Sequence, residues 1–227
     1  TDEFAMTITT TTANETFTIP CQNVGTFDAG IQWGDGSVSS ITAYDDARLT
    51  HTYAAAGDHL IRIRGTFPSI YFNNGGDKLK VKSVENLGVV SWALLDRSFY
   101  GCSNMVSFTA GTTDTSSVTD GRQMFFNCSL LTSLDLSNFD TSAVTNLSSM
   151  FRDCSSLTTL DLSSFDTSAA TAMGAMFLNC SSITDVVGVE DFNIEGLDGP
   201  SDLNSFASGA TLPTARYDAL LINWDAQ

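Results

Sequence analysis

Four of the five cysteines, Cys102, Cys128, Cys154 and Cys180, recur at intervals of 26 residues. Zinc ligands come as close pairs, about two to four residues apart, so this ladder is not a metal site. Stacked one above another, the thiols would lie about 5 Å apart, near disulfide range, yet a small buried Cys also packs as a weakly polar hydrophobe. Gly76 and Gly209 take the cysteine position in the flanking segments. The expectation is therefore four free structural thiols, at a site that needs smallness and not sulfur chemistry. Cys21 has no partner in this register. His51 and His59 are the only histidines, and no repeat contains one. No Ser-His-Asp or Cys-His nucleophile can be assembled from the repeats. Asp114, Asp140 and Asp166 recur in Asp-Thr-Ser units, where a carboxylate would cap a helical segment by accepting from a backbone N–H. Calcium wants about six to eight oxygens, and one Asp per repeat supplies too few. The reading contains no metal, no cofactor, no catalytic residue and no paired carboxylates of glycosidase type.

The elements that carry these residues form a repeat. Phe99, Phe125, Phe151 and Phe177 precede the cysteines by three residues; Met105, Leu131, Leu157 and Ile183 follow by three; Phe108, Leu134, Leu160 and Val186 follow by six. Leu131 to Leu136 alternates as a short strand, with Leu134 and Leu136 inward and Ser133, Asp135 and Ser137 outward. Val144, Leu147 and Phe151 have helix-like spacing. Each repeat thus reads as strand, turn and helical or 3-10 segment. One repeat cannot bury its own apolar face, so the repeats must stack. The expectation is a right-handed stack of about five coils from Asn73 to Leu212, with phase returning at Phe206, Gly209 and Leu212. A cap helix from Pro213 to Trp224 would place Tyr217, Leu220, Leu221 and Trp224 on one face.

The N-terminal part has a different grammar. Thr7 to Thr12, Thr16 to Ile19, Ile31 to Trp33 and Leu60 to Ile63 read as strands separated by turn residues. Trp33-Gly-Asp-Gly36 reads as a hairpin turn. This predicts a small β-sandwich over residues 1–70, joined through the apolar Phe67 to Phe72 to a repeat region over 71–227. Apolar residues make up 42% of the chain, enough for a packed core. The formal charge is −16, which argues against nucleic acid and anionic lipid as partners. No apolar run is long enough to span a membrane. Thr1 to Thr12 has neither a basic nor an apolar leader region. The chain would then reach a surface with its leader already removed or as part of a virion.

Two resemblances rest on these residues. Gly30-Ile-Gln-Trp-Gly-Asp-Gly-Ser37, His51-Thr-Tyr53, Gly57 and Leu60-Ile-Arg-Ile63 resemble a PKD domain. That resemblance implies an immunoglobulin-like sandwich used to space or present other modules. Met124 to Ser142 and Met150 to Ser168 resemble the BspA-like leucine-rich repeats of bacterial surface antigens, which also look like those of phage tail and fibre proteins. This implies a solenoid for adhesion or display, without catalysis.

Two sets of residues are candidates for binding. Tyr100, Phe126, Arg152 and Leu178 form a column that varies while its neighbours stay fixed, and aromatics and Arg are enriched at interfaces. Asp135 and Asp161 form an acidic strip on the outward strand face with Ser133, Ser137, Thr159 and Ser163. Most of the charge lies here: 17 acids against 6 bases from Leu79 onward. The function expected is non-enzymatic recognition or attachment, as a phage tail, fibre or decoration protein meeting a host-surface polysaccharide or protein, or other virion proteins. A secreted or anchored bacterial adhesin and a purely structural virion spacer are the alternatives. The expected location is a virion surface or a bacterial cell surface.

Overall fold

Alternation of apolar and polar side chains sets the first strands. In β1 (Phe4–Thr10), Phe4, Met6 and Ile8 are buried while Thr7 and Thr9 face outward. The computed structural model describes residues 2–197, 205–215, 218 and 219. It is mainly β, with open sheets and short 3-10 turns at Ala47–Leu49, Lys78–Lys80 and Val189–Asp191. After β2 (Glu15–Thr18) come β3 (Asp28–Gln32), β4 (Val38–Ile41), β5 (Thr50–Tyr53) and β6 (Gly57–Thr66). β2 and β5 form an antiparallel ribbon. Its inward Phe17 and Tyr53 join the same core as Ile31, Trp33, Ile61 and Ile63. The expected hairpin is present: β3 and β4 pair antiparallel, and the Asp35 carboxylate accepts the Ser37 N–H at 2.9 Å.

The larger sheet does not stop near residue 70. β1 pairs antiparallel with β6 on one side and with β7 (Val81–Asn86) on the other. β8 (Ser107–Thr109) and β9 (Ser133–Asp135) then add in parallel, giving the order β4-β3-β6-β1-β7-β8-β9. β10 (Thr159–Asp161) and β11 (Asp185–Val187) form a separate parallel pair. Side chains lock the junction. Trp92 packs edge-on against Phe4 at 5.7 Å and Phe67 at 6.2 Å. The Asn86 amide donates to the Glu3 carbonyl at 2.8 Å, and the buried Glu3 carboxylate holds Arg62 at 2.8 Å and Arg64 at 2.6 Å.

From β7 onward the coils stack. Phe99, Phe125, Phe151 and Phe177 are fully buried, with ring centroids 6.0, 5.9 and 5.6 Å apart. The helix-like spacing at Val144, Leu147 and Phe151 does not make a helix. It makes successive turns, such as Met150 N–H to Leu147 O and Cys154 N–H to Phe151 O. The reason lies in two columns of left-handed residues: Arg97, Gln123, Ser149 and Ala175, and Gly101, Asn127, Asp153 and Asn179. A positive φ interrupts a right-handed helix and turns N–H groups toward the next coil. Phe125 N–H thus donates to Met150 O, and Asn127 N–H to Arg152 O, each at 2.9 Å.

The register slips by one residue at each end. Gly75 N–H to Phe72 O repeats the bond of Cys102 N–H to Phe99 O, and Ala210 N–H to Ala207 O repeats that of Cys180 N–H to Phe177 O. Gly75 and Ala210 therefore stand in the cysteine column, not Gly76 and Gly209. Gly209, at φ 77°, belongs with the left-handed Asn179 at φ 62°. Of the expected cap helix, 214–215 and 218–219 are helical; Tyr217, Leu220, Leu221 and Trp224 lie outside the described residues.

Candidate recognition site

The outward face of the strands carries one expected site. Ser133, Asp135, Thr159 and Asp161 are exposed. The Asp135 carboxylate accepts the Ser137 N–H at 3.0 Å, and that of Asp161 accepts the Ser163 N–H at 2.9 Å. These local turns fix both carboxylates against the main chain. Between them the ladder is interrupted, since β9 ends the long sheet and β10 begins a separate pair. A groove of about 280 Å³ opens there, lined by Leu134, Asp135, Leu136, Ser137, Asp161 and Ser163. Leu134 is only half-buried, whereas Phe108, Leu160 and Val186 in the same column are buried.

The variable column forms a ladder of its own on the turn side. Tyr100 and Phe126 stack at 4.6 Å with planes 6° apart, and the Arg152 guanidinium lies 4.9 Å from the Phe126 centroid. All four residues, Leu178 included, are half-buried. Phe126 is therefore covered by a neighbour from the coil before and another from the coil after. Arg152 is half-exposed, so its charge keeps contact with solvent while its guanidinium lies over Phe126 and its Nε 3.4 Å from Asp153. The structure does not bring the two candidate sets together: the column belongs to the turns and the Asp strip to the strands.

A family model described as "Mycoplasma protein of unknown function, DUF285" matches residues 93–208. The chain belongs to this family. The match supports a BspA-like surface-protein family. No curated protein and no solved structure matches.

The DUF285 segment holds all four stacked cysteines, which are free and buried as expected. Beyond that expectation, three of them also act as hydrogen-bond donors. Cys128 Sγ donates to Phe99 O at 3.2 Å, Cys154 Sγ to Phe125 O at 3.1 Å and Cys180 Sγ to Phe151 O at 3.0 Å. Burial pushes Cys128 and Cys154 well above the usual thiol range and Cys180 up to about 12, so the thiols stay protonated and unreactive.

The Asp-Thr-Ser units likewise form turns instead of helix caps. Asp140 accepts the Ser142 N–H at 2.9 Å. In Asp114 and Asp166, hydrogen bonds from the Ser116 and Ser168 hydroxyls, then from their N–H groups, hold the carboxyl below its usual value. Sequence reasoning missed the middle residue. Thr115, Thr141 and Thr167 are buried. Thr141 donates to Asp166 O at 2.9 Å and accepts the Asp166 N–H at 2.8 Å; Thr115 does the same with Asp140 at 3.1 and 2.8 Å. The signal was available, as a Thr fixed in phase with the Phe and Cys columns.

His51 and His59 sit in an aromatic stack in the N-terminal part. Trp33 stacks on His51 at 5.0 Å, and His59 on Tyr53 at 3.8 Å. His51 Nε2 meets the Asp35 carboxylate at 2.7 Å, and the Tyr53 hydroxyl donates to Trp33 O at 3.0 Å. Burial would raise Asp35, but hydrogen bonds from His51 and from Ser37 outweigh it and hold the carboxyl at about 2. The residues that carried the PKD resemblance thus contact one another.

Proposed function

We propose that this protein is a non-enzymatic recognition module displayed on a surface, built as a PKD-like, immunoglobulin-like sandwich leading into a BspA-like leucine-rich-repeat solenoid. The observation that carries the reading is the division of labour within each coil. Phe, Cys and Thr columns repeat inside, while outside the Tyr100, Phe126, Arg152 and Leu178 column changes from coil to coil on the turn side and the Asp135 and Asp161 strip flanks a groove on the strand side. Repeat proteins commonly bind through such a face.

The non-enzymatic reading is supported by the fate of every nucleophile or base considered. The stacked thiols donate to carbonyls, and both histidines pack on aromatic rings. The family's printed description, a Mycoplasma protein, favours a bacterial setting. The free cysteines favour the second reading, a virion protein assembled in a reducing cytoplasm. The test is binding of the intact chain to whole bacteria and to isolated envelopes. Saturable binding that falls with envelope protease or glycosidase treatment is expected. Absence of binding to any envelope leaves a structural spacer.

A further inference from the structure

We propose that β4 is a dimerisation edge, pairing antiparallel with β4 of a second copy of this chain across a two-fold axis. This goes beyond the recognition reading above and does not depend on it.

The strand has one free side. β4 ends the long sheet and pairs only with β3. Trp33 N–H donates to Ser37 O at 3.1 Å, and bonded pairs alternate along an antiparallel ladder. Ile31 with Ser39 and Ala29 with Ile41 are therefore the next bonded pairs. The N–H and C=O groups of Val38 and Ser40 face away from β3, and no described residue bonds to them. The chain blunts such an edge elsewhere. On β2, Thr18 N–H donates to the Asp77 carboxylate at 2.8 Å, and the Lys80 ammonium donates to Thr16 O. β4 has no charge, no proline and no bulge to do the same.

The register follows from the free groups. Val38 of one copy meets Ser40 of the other, and Ser40 meets Val38, giving four main-chain hydrogen bonds. The two Ser39 residues then face each other on the axis. There a small side chain fits, and each Ser39 hydroxyl is already turned to accept from Trp33 Nε1 at 2.9 Å. Val38 is 75% exposed, the most of any large apolar side chain among the described residues. Beside it opens a groove of about 350 Å³ lined by Gln32, Gly34, Gly36, Val38, Leu60 and Arg62. The same register carries the chain beyond Ile41 of the second copy, with its exposed Tyr44, toward this groove.

Charge selects the occupant. At −16, most faces of a second copy repel their own kind. Gly36 to Tyr44 is an uncharged run, and two acids beside it are already paired, Asp35 with His51 at 2.7 Å and Asp46 with Arg48 at 2.6 Å. A basic protein would be drawn to the acidic strand face of the stack. An uncharged edge whose bonding groups complement themselves suits a like-charged copy. The pair would carry two stacks, so recognition by either face becomes bivalent.

The experiment is sedimentation velocity of the intact chain from about 10 µM to about 1 mM. Four hydrogen bonds over a small area make a weak dimer, so the average mass should rise toward twice that of the chain only at the upper end. Salt should strengthen the dimer by screening like charge. Amide exchange at Val38 and Ser40 should slow as concentration rises. Ser40→Pro removes an N–H that the hairpin does not use. It should keep the monomer's thermal midpoint and weaken the dimer at least about tenfold. Val38→Lys, at a solvent-facing side chain, should weaken it similarly by charging the edge. Val89→Lys, at an exposed apolar residue outside the strand, should dimerise like the unsubstituted chain. A chain that stays monomeric throughout leaves the edge to a foreign strand and overturns the proposal. So does a dimer that salt weakens, or one that neither β4 variant disturbs.

Discussion

The two regions solve the same burial problem with different ranges of contact. In the N-terminal part, core residues meet across long stretches of chain: Thr10 reaches His59 at 3.0 Å, and Tyr53 closes over Trp33. In the stack, each residue meets its own counterpart one coil away, through rings, thiols and threonines. Every stack interaction is thus repeated, and the loss of one coil's contact is shared with its neighbours. The N-terminal part has no such redundancy. It also borrows from the stack, because β7 completes the pairing of β1.

That dependence makes the largest prediction. Residues 1–70 expressed alone lose β7, Trp92 and the Asn86 bond to Glu3, leaving the edge of β1 open. The fragment should show no cooperative thermal transition, whereas residues 1–95, which restore β7, Asn86 and Trp92, should recover one. Independent two-state unfolding of 1–70 would establish the N-terminal part as a free-standing unit. Within the stack, Phe151→Ala removes a ring packed between two others and should cost about 3 to 5 kcal/mol in denaturant unfolding. No loss would break the ladder description.

The stack's core was legible because it repeats. The Phe, Cys and Leu columns fell into register, and Phe99, Phe125, Phe151 and Phe177 are buried as expected. What stayed hidden was backbone conformation. Val144 to Phe151 has helical spacing, but Ser149 at φ 57° and Asp153 at φ 61° break it into turns, and neither residue announces a left-handed conformation as a Gly would. The one-residue slips at Gly75 and Ala210 were hidden for a related reason: nearby glycines mimic the pattern. The N-terminal strands were legible only as fragments, since β1 begins at Phe4, three residues before the expected Thr7. Both candidate sets were named from the sequence, but the groove was not, because a missing strand pairing leaves no mark on residue type.

A smaller effect separates shape from bonding. Thr141→Val keeps the volume but leaves the Asp166 N–H and carbonyl without the hydroxyl that serves both. It should cost about 1 to 3 kcal/mol in the same unfolding experiment. A cost near zero would mean that water replaces the hydroxyl. Acid tests the other region. Asp35 is held at about 2, below its ordinary 3.8. A depressed carboxylate contributes stability that is present above the ordinary value and lost as pH falls through the depressed one. The N-terminal part should therefore weaken between about pH 4 and pH 2, and Asp35→Asn should flatten that dependence, read by Trp33 fluorescence.

The smallest expected effect has opposite signs in the two regions. Ala175 sits at φ 55°, where an L residue with a Cβ costs about 1 to 2 kcal/mol. Glycine removes that strain but adds about 0.5 to 1 kcal/mol of chain entropy to the unfolded state. Ala175→Gly should therefore stabilise the stack slightly, by about 0.5 kcal/mol. Gly34 is the counterpart in the hairpin, at φ 87°, where an added Cβ would lie 2.7 Å from the Leu60 nitrogen and 2.9 Å from its carbonyl oxygen. Both atoms are backbone and cannot swing aside, so Gly34→Ala combines left-handed strain with a collision and should destabilise. Measured side by side, the pair asks whether left-handed positions in the stack are tolerated strain or required geometry. Destabilisation by Ala175→Gly would mean that the alanine methyl contributes packing worth more than its strain.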